Sequence, residues 1–69
     1  MLFSREYFVV DTITKEELVG VKISTTNNDI IYTDFDGKIN IKNKIKSVSY
    51  ISYELVEIKN DTIFMKRIN

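Results

Sequence analysis

The 69-residue sequence contains no cysteine, no histidine, no proline and no tryptophan. Without cysteine the chain has no disulfide framework, so composition leaves its redox compartment open. Without cysteine and histidine it also lacks the side chains of an ordinary zinc site, and no serine has the histidine partner of a Ser-His nucleophile. These absences predict a protein with no cofactor, whose stability depends on apolar burial and on contacts with other chains.

The sequence also has no apolar run close to the length of a transmembrane helix, so we expect no direct insertion into a membrane. Glu6 lies in the N-terminal segment, which lacks the continuous apolar core of a signal peptide. If the mature protein is exported, its signal has been removed from this sequence. Localisation is therefore unknown from composition alone.

Acidic and basic residues balance, with ten of each and a formal net charge of +0. This balance argues against a protein that neutralises phosphates, so we expect no nucleic-acid partner. A local basic run is formed by Lys38, Lys42, Lys44 and Lys46. We interpret it as a solvated loop and strand edge, where lysine also prevents unwanted strand pairing, in preference to an anion-binding patch.

Residues 18–41, LVGVKISTTNNDIIYTDFDGKINI, contain both glycines of the chain and two turn signals. Val21 and Ile23 alternate with polar residues, as expected of a half-buried strand. A polar run follows at residues 24–29, β-forming residues resume at 30–33, and an Asp-Gly hairpin signal comes next. The pattern predicts strand, turn, strand, hairpin and strand. The predicted turn-forming residues are Gly20, Asp34, Asp36 and Gly37.

The rest of the chain also predicts strands. Residues 6–12 are rich in β-formers and nearly apolar on both faces, which favours a strand covered on both sides or one face against a partner. Residues 14–17 predict a loop in preference to a single helical turn. Further strands are predicted at 45–53, from 54 or 55 to 59, and at 62–68, and no helical periodicity appears.

Six or seven short strands without helices predict an all-β fold, a small β-sandwich or barrel over residues 1–69 as one domain. The predicted core consists of Val10, Leu18, Val21, Ile23, Ile31, Ile39, Ile41, Val48, Tyr50, Val56, Ile58 and Ile63.

Three segments of this sequence resemble the carboxypeptidase regulatory-domain-like family. The pattern D-x-x-T-x-E-P-L-P-G-V-x-V is matched by Asp11, Thr14, Glu16, Leu18, Gly20, Val21 and Ile23. The pattern T-D-x-x-G-x-F/Y-x-I is matched by Thr33, Asp34, Gly37, Lys38, Ile39 and Ile41. Residues 47–54 resemble the family's F-S-Y-I-G-Y segment, and the tail its last two strands. The sequence departs from the family at Glu17 and Val19, which replace prolines, at Ser52, which replaces a frequent glycine, and at Tyr7-Phe8, which replaces a glycine-rich start.

The resemblance implies a six- to seven-stranded Greek-key β-sandwich of the transthyretin (prealbumin) type. It also implies a non-catalytic module, of the kind that accompanies bacterial outer-membrane receptors, surface proteins and peptidases as a folding or docking unit. An envelope or periplasmic location is suggested by this resemblance alone. A likeness of fold does not by itself assign a function.

Candidate chemical sites are few. The Asp34-x-Asp36-Gly37 segment resembles the opening of a calcium loop, but the twelfth position is Ile45 where that loop requires glutamate, which favours a plain turn. The paired glutamates at 16–17 and 54/57 lie in polar segments, unlike catalytic carboxylates in a pocket. We therefore predict that the chain is not an enzyme.

The aromatic residues indicate an interaction surface. Phe35, between two aspartates at the predicted hairpin tip, is hard to bury in that turn. It either contacts a partner, together with Tyr32 and Tyr53 as predicted contact residues, or folds back over the end of the sandwich. The leading hypothesis is an accessory module that binds a protein through a sheet edge or the Phe35 loop. The alternative is a building block of a homo-oligomer or larger particle, such as a phage virion. Carbohydrate binding through exposed tyrosines is a third option.

Overall fold

A computed structural model describes residues 4–68, which form seven strands and contain no helix. The strands are β1 (Arg5–Asp11), β2 (Lys22–Thr25), β3 (Ile30–Tyr32), β4 (Lys38–Ile41), β5 (Ile45–Ser49), β6 (Tyr53–Lys59) and β7 (Thr62–Arg67). Residues 1–3, part of the N-terminal segment considered for a signal peptide, and residue 69 lie outside this range. Within it, nothing forms a helix long and apolar enough to cross a membrane. The all-β prediction is confirmed, and so is the loop at residues 14–17.

The strands form two sheets, an arrangement compatible with a small β-sandwich. The four-stranded sheet, called the large sheet below, has the order β4-β1-β7-β6, and the three-stranded small sheet has the order β3-β2-β5. Strand β1 is antiparallel to β4 and parallel to β7, so the first and last strands of the chain lie side by side in the middle of the large sheet. All other strand pairs are antiparallel.

One apolar core lies between the sheets. Its buried hydrophobic residues are Val9, Leu18, Val21, Ile23, Ile39, Ile41, Ile63 and Met65. Six of these were predicted, and Ile31, Val48 and Tyr50 pack against the core as partly buried residues. Val9 and Met65 were missed, and Val10, predicted in the core, is only half-buried on the opposite face of β1. A strand that is apolar on both faces carries no alternation to show which face turns inward.

The core prediction is wrong for Val56 and Ile58, which are both exposed. They lie on β6, an edge of the large sheet, where the register with β7 is interrupted by a bulge between Leu55 and Glu57. A three-stranded sheet cannot cover a four-stranded one completely, and β6 is left at the open side. Alternation along β6 thus correctly indicated a strand but not its position in the sheet.

The predicted hairpin at residues 34–37 is also wrong, although the turn exists. The Gly37 N–H donates to the Asp34 carbonyl at 3.0 Å. However, β3 pairs with β2 and β4 pairs with β1, so this turn joins the two sheets. Asp-Gly specifies the local backbone angles, whereas burial of the inner faces decides which strands pair.

The predicted strand at residues 45–53 ends at Ser49. The Tyr53 N–H donates to the Tyr50 carbonyl at 3.1 Å in a tight turn that carries the chain from the small sheet to the large one. Ser52 has φ +66°, a conformation that glycine adopts more readily. The sequence pattern predicted a strand through this turn because Tyr, Ile and Ser do not break a strand by propensity.

The two glycines provide a matched test of the packing at the sheet-joining turn. Both have positive φ, +76° at Gly20 and +71° at Gly37. A Cβ on Gly20 would meet nothing within 4 Å, whereas one on Gly37 would lie 2.8 Å from the Glu17 Cβ and 3.1 Å from the Val9 carbonyl oxygen.

We therefore expect Gly20→Ala to lower the free energy of unfolding by about 1–2 kcal/mol, the cost of a left-handed backbone. Gly37→Ala should lose about 1–3 kcal/mol more, because the neighbouring segments must shift. Urea denaturation followed by circular dichroism measures both values. Equal losses in the two variants would contradict the close packing at Gly37.

Candidate functional site

The strand directions place three connections at one end of the molecule, which we call the loop end. Strand β1 runs toward this end and leads into residues 12–21, while residues 33–37 join β3 to β4 and residues 50–52 join β5 to β6. The last two connections are short and link the two sheets, so the loop ends of both sheets lie together. The connections at 26–29, 42–44 and 60–61 lie at the opposite end.

The loop end carries the most exposed apolar side chains among the described residues. Phe35 is 91% exposed, Ile51 85% and Ile13 73%, and each lies on a different one of the three connections. The three connections at the opposite end contain only Asn, Asp, Lys and Thr. Loops on a rigid sheet scaffold commonly carry binding residues, and exposed apolar side chains grouped at one place indicate an interaction surface.

The turn that carries Phe35 is held by its own backbone and by Asp34. The Asp34 Oδ1 accepts hydrogen bonds from the N–H groups of Lys38 and Asp36, both at 2.9 Å. These two bonds, of which the one from Lys38 contributes most, hold the pKa of Asp34 below its ordinary value. The aspartate therefore serves the turn, and Phe35 projects from a braced loop.

Of the predicted contact residues, Tyr32 lies close to Phe35. It is exposed at the end of edge strand β3, opposite Lys22 on the face turned away from the core. Three residues of chain span at most about 10 Å, which limits the backbone separation between Tyr32 and Phe35. Tyr32 and Phe35 therefore both lie at the loop end.

Thr33 joins the Phe35 loop to the segment before β2. Its buried hydroxyl donates to the Leu18 carbonyl at 2.7 Å and accepts from the Val21 N–H at 2.9 Å. The Gly20 N–H donates to the Thr33 carbonyl at 3.1 Å. Exposed Val19 is thereby tied next to the Phe35 loop. The sequence pattern indicates Thr33 only as the last of the β-forming residues 30–33 and as a match to a family pattern, so this role was missed.

Tyr53, the third predicted contact residue, lies apart from the other two. It is half-buried, its ring centroid is 5.3 Å from that of Tyr50, and its hydroxyl donates to Asp11 Oδ2 at 2.9 Å. Asp11 is buried, and its Oδ1 accepts from the N–H groups of Ile13 and Thr14 at 2.8 and 3.0 Å. Asp11 therefore fixes the Ile13 loop and connects it to the start of β6.

These hydrogen bonds change both pKa values in the pair. Backbone N–H bonds from Thr14 and Ile13, with the Tyr53 hydroxyl, hold the pKa of Asp11 below its ordinary value. The bond to Asp11 raises the pKa of Tyr53 above its ordinary value. The sequence signal for this contact is an aspartate at the end of an apolar strand, followed by Thr-Ile-Thr, which suits a side-chain-capped turn.

The loop end is thus a set of braced turns that present apolar side chains. Asp11 and Asp34, two of the acidic residues at the loop end, both use carboxylate oxygens to hold backbone N–H groups. Within residues 4–68, no group of three or more acidic, histidine or cysteine side chains is placed to hold a metal ion. The arrangement is suited to contact with an apolar surface.

The lowered pKa of Asp11 predicts a loss of stability in acid. A carboxylate whose folded pKa lies below its unfolded value of 3.8 contributes stability that is fully present above pH 3.8. This contribution is lost as the pH falls through the folded pKa. Asp11→Asn should therefore lose less of its thermal stability than the wild type when the pH is lowered through that window.

The control is Tyr53→Phe, which removes the hydroxyl and keeps both backbone N–H bonds to Asp11. Because the backbone bonds contribute most to the pKa shift, this variant should keep most of the acid sensitivity. Thermal melts monitored by circular dichroism at a series of pH values test both variants. An acid profile of Asp11→Asn identical to that of the wild type would contradict the role of Asp11.

No protein-family model, no curated protein and no solved structure matches this chain. The resemblance to the carboxypeptidase regulatory-domain-like family therefore remains a prediction from sequence.

Proposed function

We propose that this chain is a non-catalytic module that binds another protein through its loop end, with Phe35 as the central contact. The observation that carries the proposal is the 91% exposure of a phenylalanine on a turn braced by two side-chain hydrogen bonds. The braced turn fixes the backbone that carries the ring, so binding costs conformational entropy mainly in the side chain itself. Aromatic anchors of this kind contribute most of the energy in many protein interfaces.

The surroundings of Phe35 suggest the chemistry of the partner. Asp34 and Asp36 flank the ring in sequence, and Glu17 lies against Gly37 at the base of the turn. An apolar pocket with a basic rim complements this arrangement, because the ring fills the pocket and the rim neutralises the carboxylates. Burial of an exposed phenylalanine is worth about 1.5–3 kcal/mol, enough to dominate a small interface.

A Greek-key module of the transthyretin type, as the family resemblance implies, remains our proposal for the finer fold. Seven strands in two sheets support it, as does the positive φ of Ser52 at a position where that family often has glycine. The absence of an enzymatic role is likewise a proposal. It is supported by the use of the loop-end carboxylates Asp11 and Asp34 in bracing turns.

The second candidate function is a building block of a homo-oligomer or larger particle, and the exposed apolar residues of β6 favour it. The outer face of β1, predicted as a contact between copies, supports it less. Lys38 Nζ lies 5.7 Å from the Phe8 ring centroid, and Lys15 Nζ lies 5.6 Å from that of Phe64. Lysine side chains therefore already cover the aromatic rings on this face.

The proposed function predicts that Phe35→Ala abolishes partner binding and leaves the fold intact. Because the ring is almost fully exposed, the free energy of unfolding should change by less than about 0.5 kcal/mol. The measurement is quantitative pull-down from lysate of the source cells, with immobilised wild type and variant compared side by side. Proteins lost from the variant sample are the candidate partners.

The matched control is Asn43→Ala, which changes an exposed residue at the opposite end and should retain the same partners. A partner bound equally by wild type, Phe35→Ala and Asn43→Ala would show that the loop end is not the contact. Loss of binding in both variants would point to the opposite end or to a nonspecific effect.

A further inference from the structure

Strand β6 is an edge strand of the large sheet and carries apolar side chains. In the described sheet order it has β7 on one side only. Leu55 and Ile58 stand opposite buried Met65 and Ile63 and so face the interior, yet they remain 42% and 41% exposed. The Tyr53 N–H is already bonded to the Tyr50 carbonyl, and beyond Tyr53 this edge offers free backbone N–H and C=O groups to another strand.

The other edge strands are better protected against pairing. Strand β3 has only three residues. Strand β4 begins with Lys38 and is followed by Lys42, and β5 is preceded by Lys44 and contains Lys46. Short length and lysine are both known protections of sheet edges. Strand β6 also carries Lys59 and a bulge, but its seven residues make it the longest edge strand among the described residues. It is therefore the edge that offers most backbone to a partner strand.

The bulge determines which β6 side chains share a face. Glu54 and Lys59 stand opposite Lys66 and Thr62, on the outer face of the large sheet. Leu55 and Ile58 share the inner face although they are three positions apart, because the bulge between Leu55 and Glu57 adds a residue. Going outward from the bulge, Leu55 and then Glu54 follow on one side, and Ile58 and then Lys59 follow on the other. Each side therefore has an apolar residue on the inner face followed by a charged residue on the outer face.

We propose that β6 pairs antiparallel with β6 of a second copy, about a two-fold axis at the bulge. In this register Leu55 lies opposite Ile58 of the second copy, and Glu54 lies opposite Lys59 of the second copy. Each contact occurs twice, and each joins residues on the same face. At the axis itself, Val56 lies opposite Glu57 of the second copy. On either side of this pair the interface is self-complementary in charge and in apolar character, as a two-fold contact requires.

Neighbouring registers lack this complementarity. A shift by one residue in one direction places Glu54, on the outer face, opposite Ile58 of the second copy, on the inner face, although residues directly opposite each other in a sheet share a face. A shift in the other direction places Glu57 opposite Glu57 of the second copy, two like charges at the axis. The proposed register joins the two large sheets into one continuous sheet.

This inference goes beyond the proposed function, because β6 and the Phe35 loop lie on different surfaces. The Phe35 turn leads into β4, and β4 and β6 are the opposite edges of the large sheet. A dimer through β6 therefore leaves both Phe35 loops free to bind a partner. Phe35→Ala should leave the dimer unchanged, so failure of one proposal is distinguishable from failure of the other.

The test is sedimentation equilibrium of the full chain from micromolar to millimolar concentration. The wild type should rise from its monomer mass of 8.1 kDa toward twice that value. Glu54→Lys and Lys59→Glu each place like charges at both symmetric contacts, and each should weaken the dimer roughly tenfold. An equimolar mixture of the two variants should form a heterodimer of wild-type affinity, because both contacts then join opposite charges.

The matched controls are Glu6→Lys and Lys46→Glu, which make the same charge changes at exposed residues outside β6 and should not alter dimerisation. Thermal melts verify folding, particularly of Glu54→Lys, since this change faces Lys66 in the same chain. Residue 59 stands opposite the uncharged Thr62 of the same chain. Lys59→Glu is therefore sufficient for the test if Glu54→Lys does not fold. A monomeric wild type at millimolar concentration, an unaffected Lys59→Glu dimer, or folded variants that fail to form the heterodimer would each overturn the proposal.

Discussion

The parallel pairing of β1 with β7 is the contact on which the rest of the structure depends. Val9 and Ile63 stand opposite each other in this ladder, and both are fully buried. Because these strands are the first and the last of the chain, the core between the sheets closes only when the whole chain is present. Every other strand of the large sheet is placed by its pairing with one of these two. Contacts between the ends of the sequence carry a high loop-closure cost, which a single small core must offset.

The unequal size of the two sheets explains where apolar residues reach the surface. The small sheet covers the centre of the large sheet and leaves the β6 edge partly open, so Leu55 and Ile58 face inward without being buried. At the centre of the large sheet the inner face is covered, and Met65 there is fully buried. An exposed apolar edge normally favours association, and here the outer face carries charges of opposite sign, Glu54 and Lys59, on either side of the bulge.

At the loop end, polar groups brace the turns and leave apolar side chains at the tips. Asp11 holds the Ile13 loop, Asp34 holds the Phe35 turn, and Thr33 ties that turn to the segment before β2. Each of these groups satisfies backbone N–H or C=O groups that a loop would otherwise leave to water. The result is a rigid surface whose tips gain from contact with another apolar surface.

The sequence by itself determined the all-β class, most strand positions and the turns at Gly20 and Gly37. These features follow from residue types within a few positions of each other, and local chemistry is sufficient to specify them. Only the tertiary structure decided that the Asp-Gly turn joins two sheets, that Val9 and not Val10 is buried, and that Ile58 lies at an open edge. It also decided the contact of Asp11 with Tyr53, residues 42 positions apart in the chain. Strand partners and inward faces depend on which apolar surfaces meet across the core, and that choice is made by burial over the whole chain.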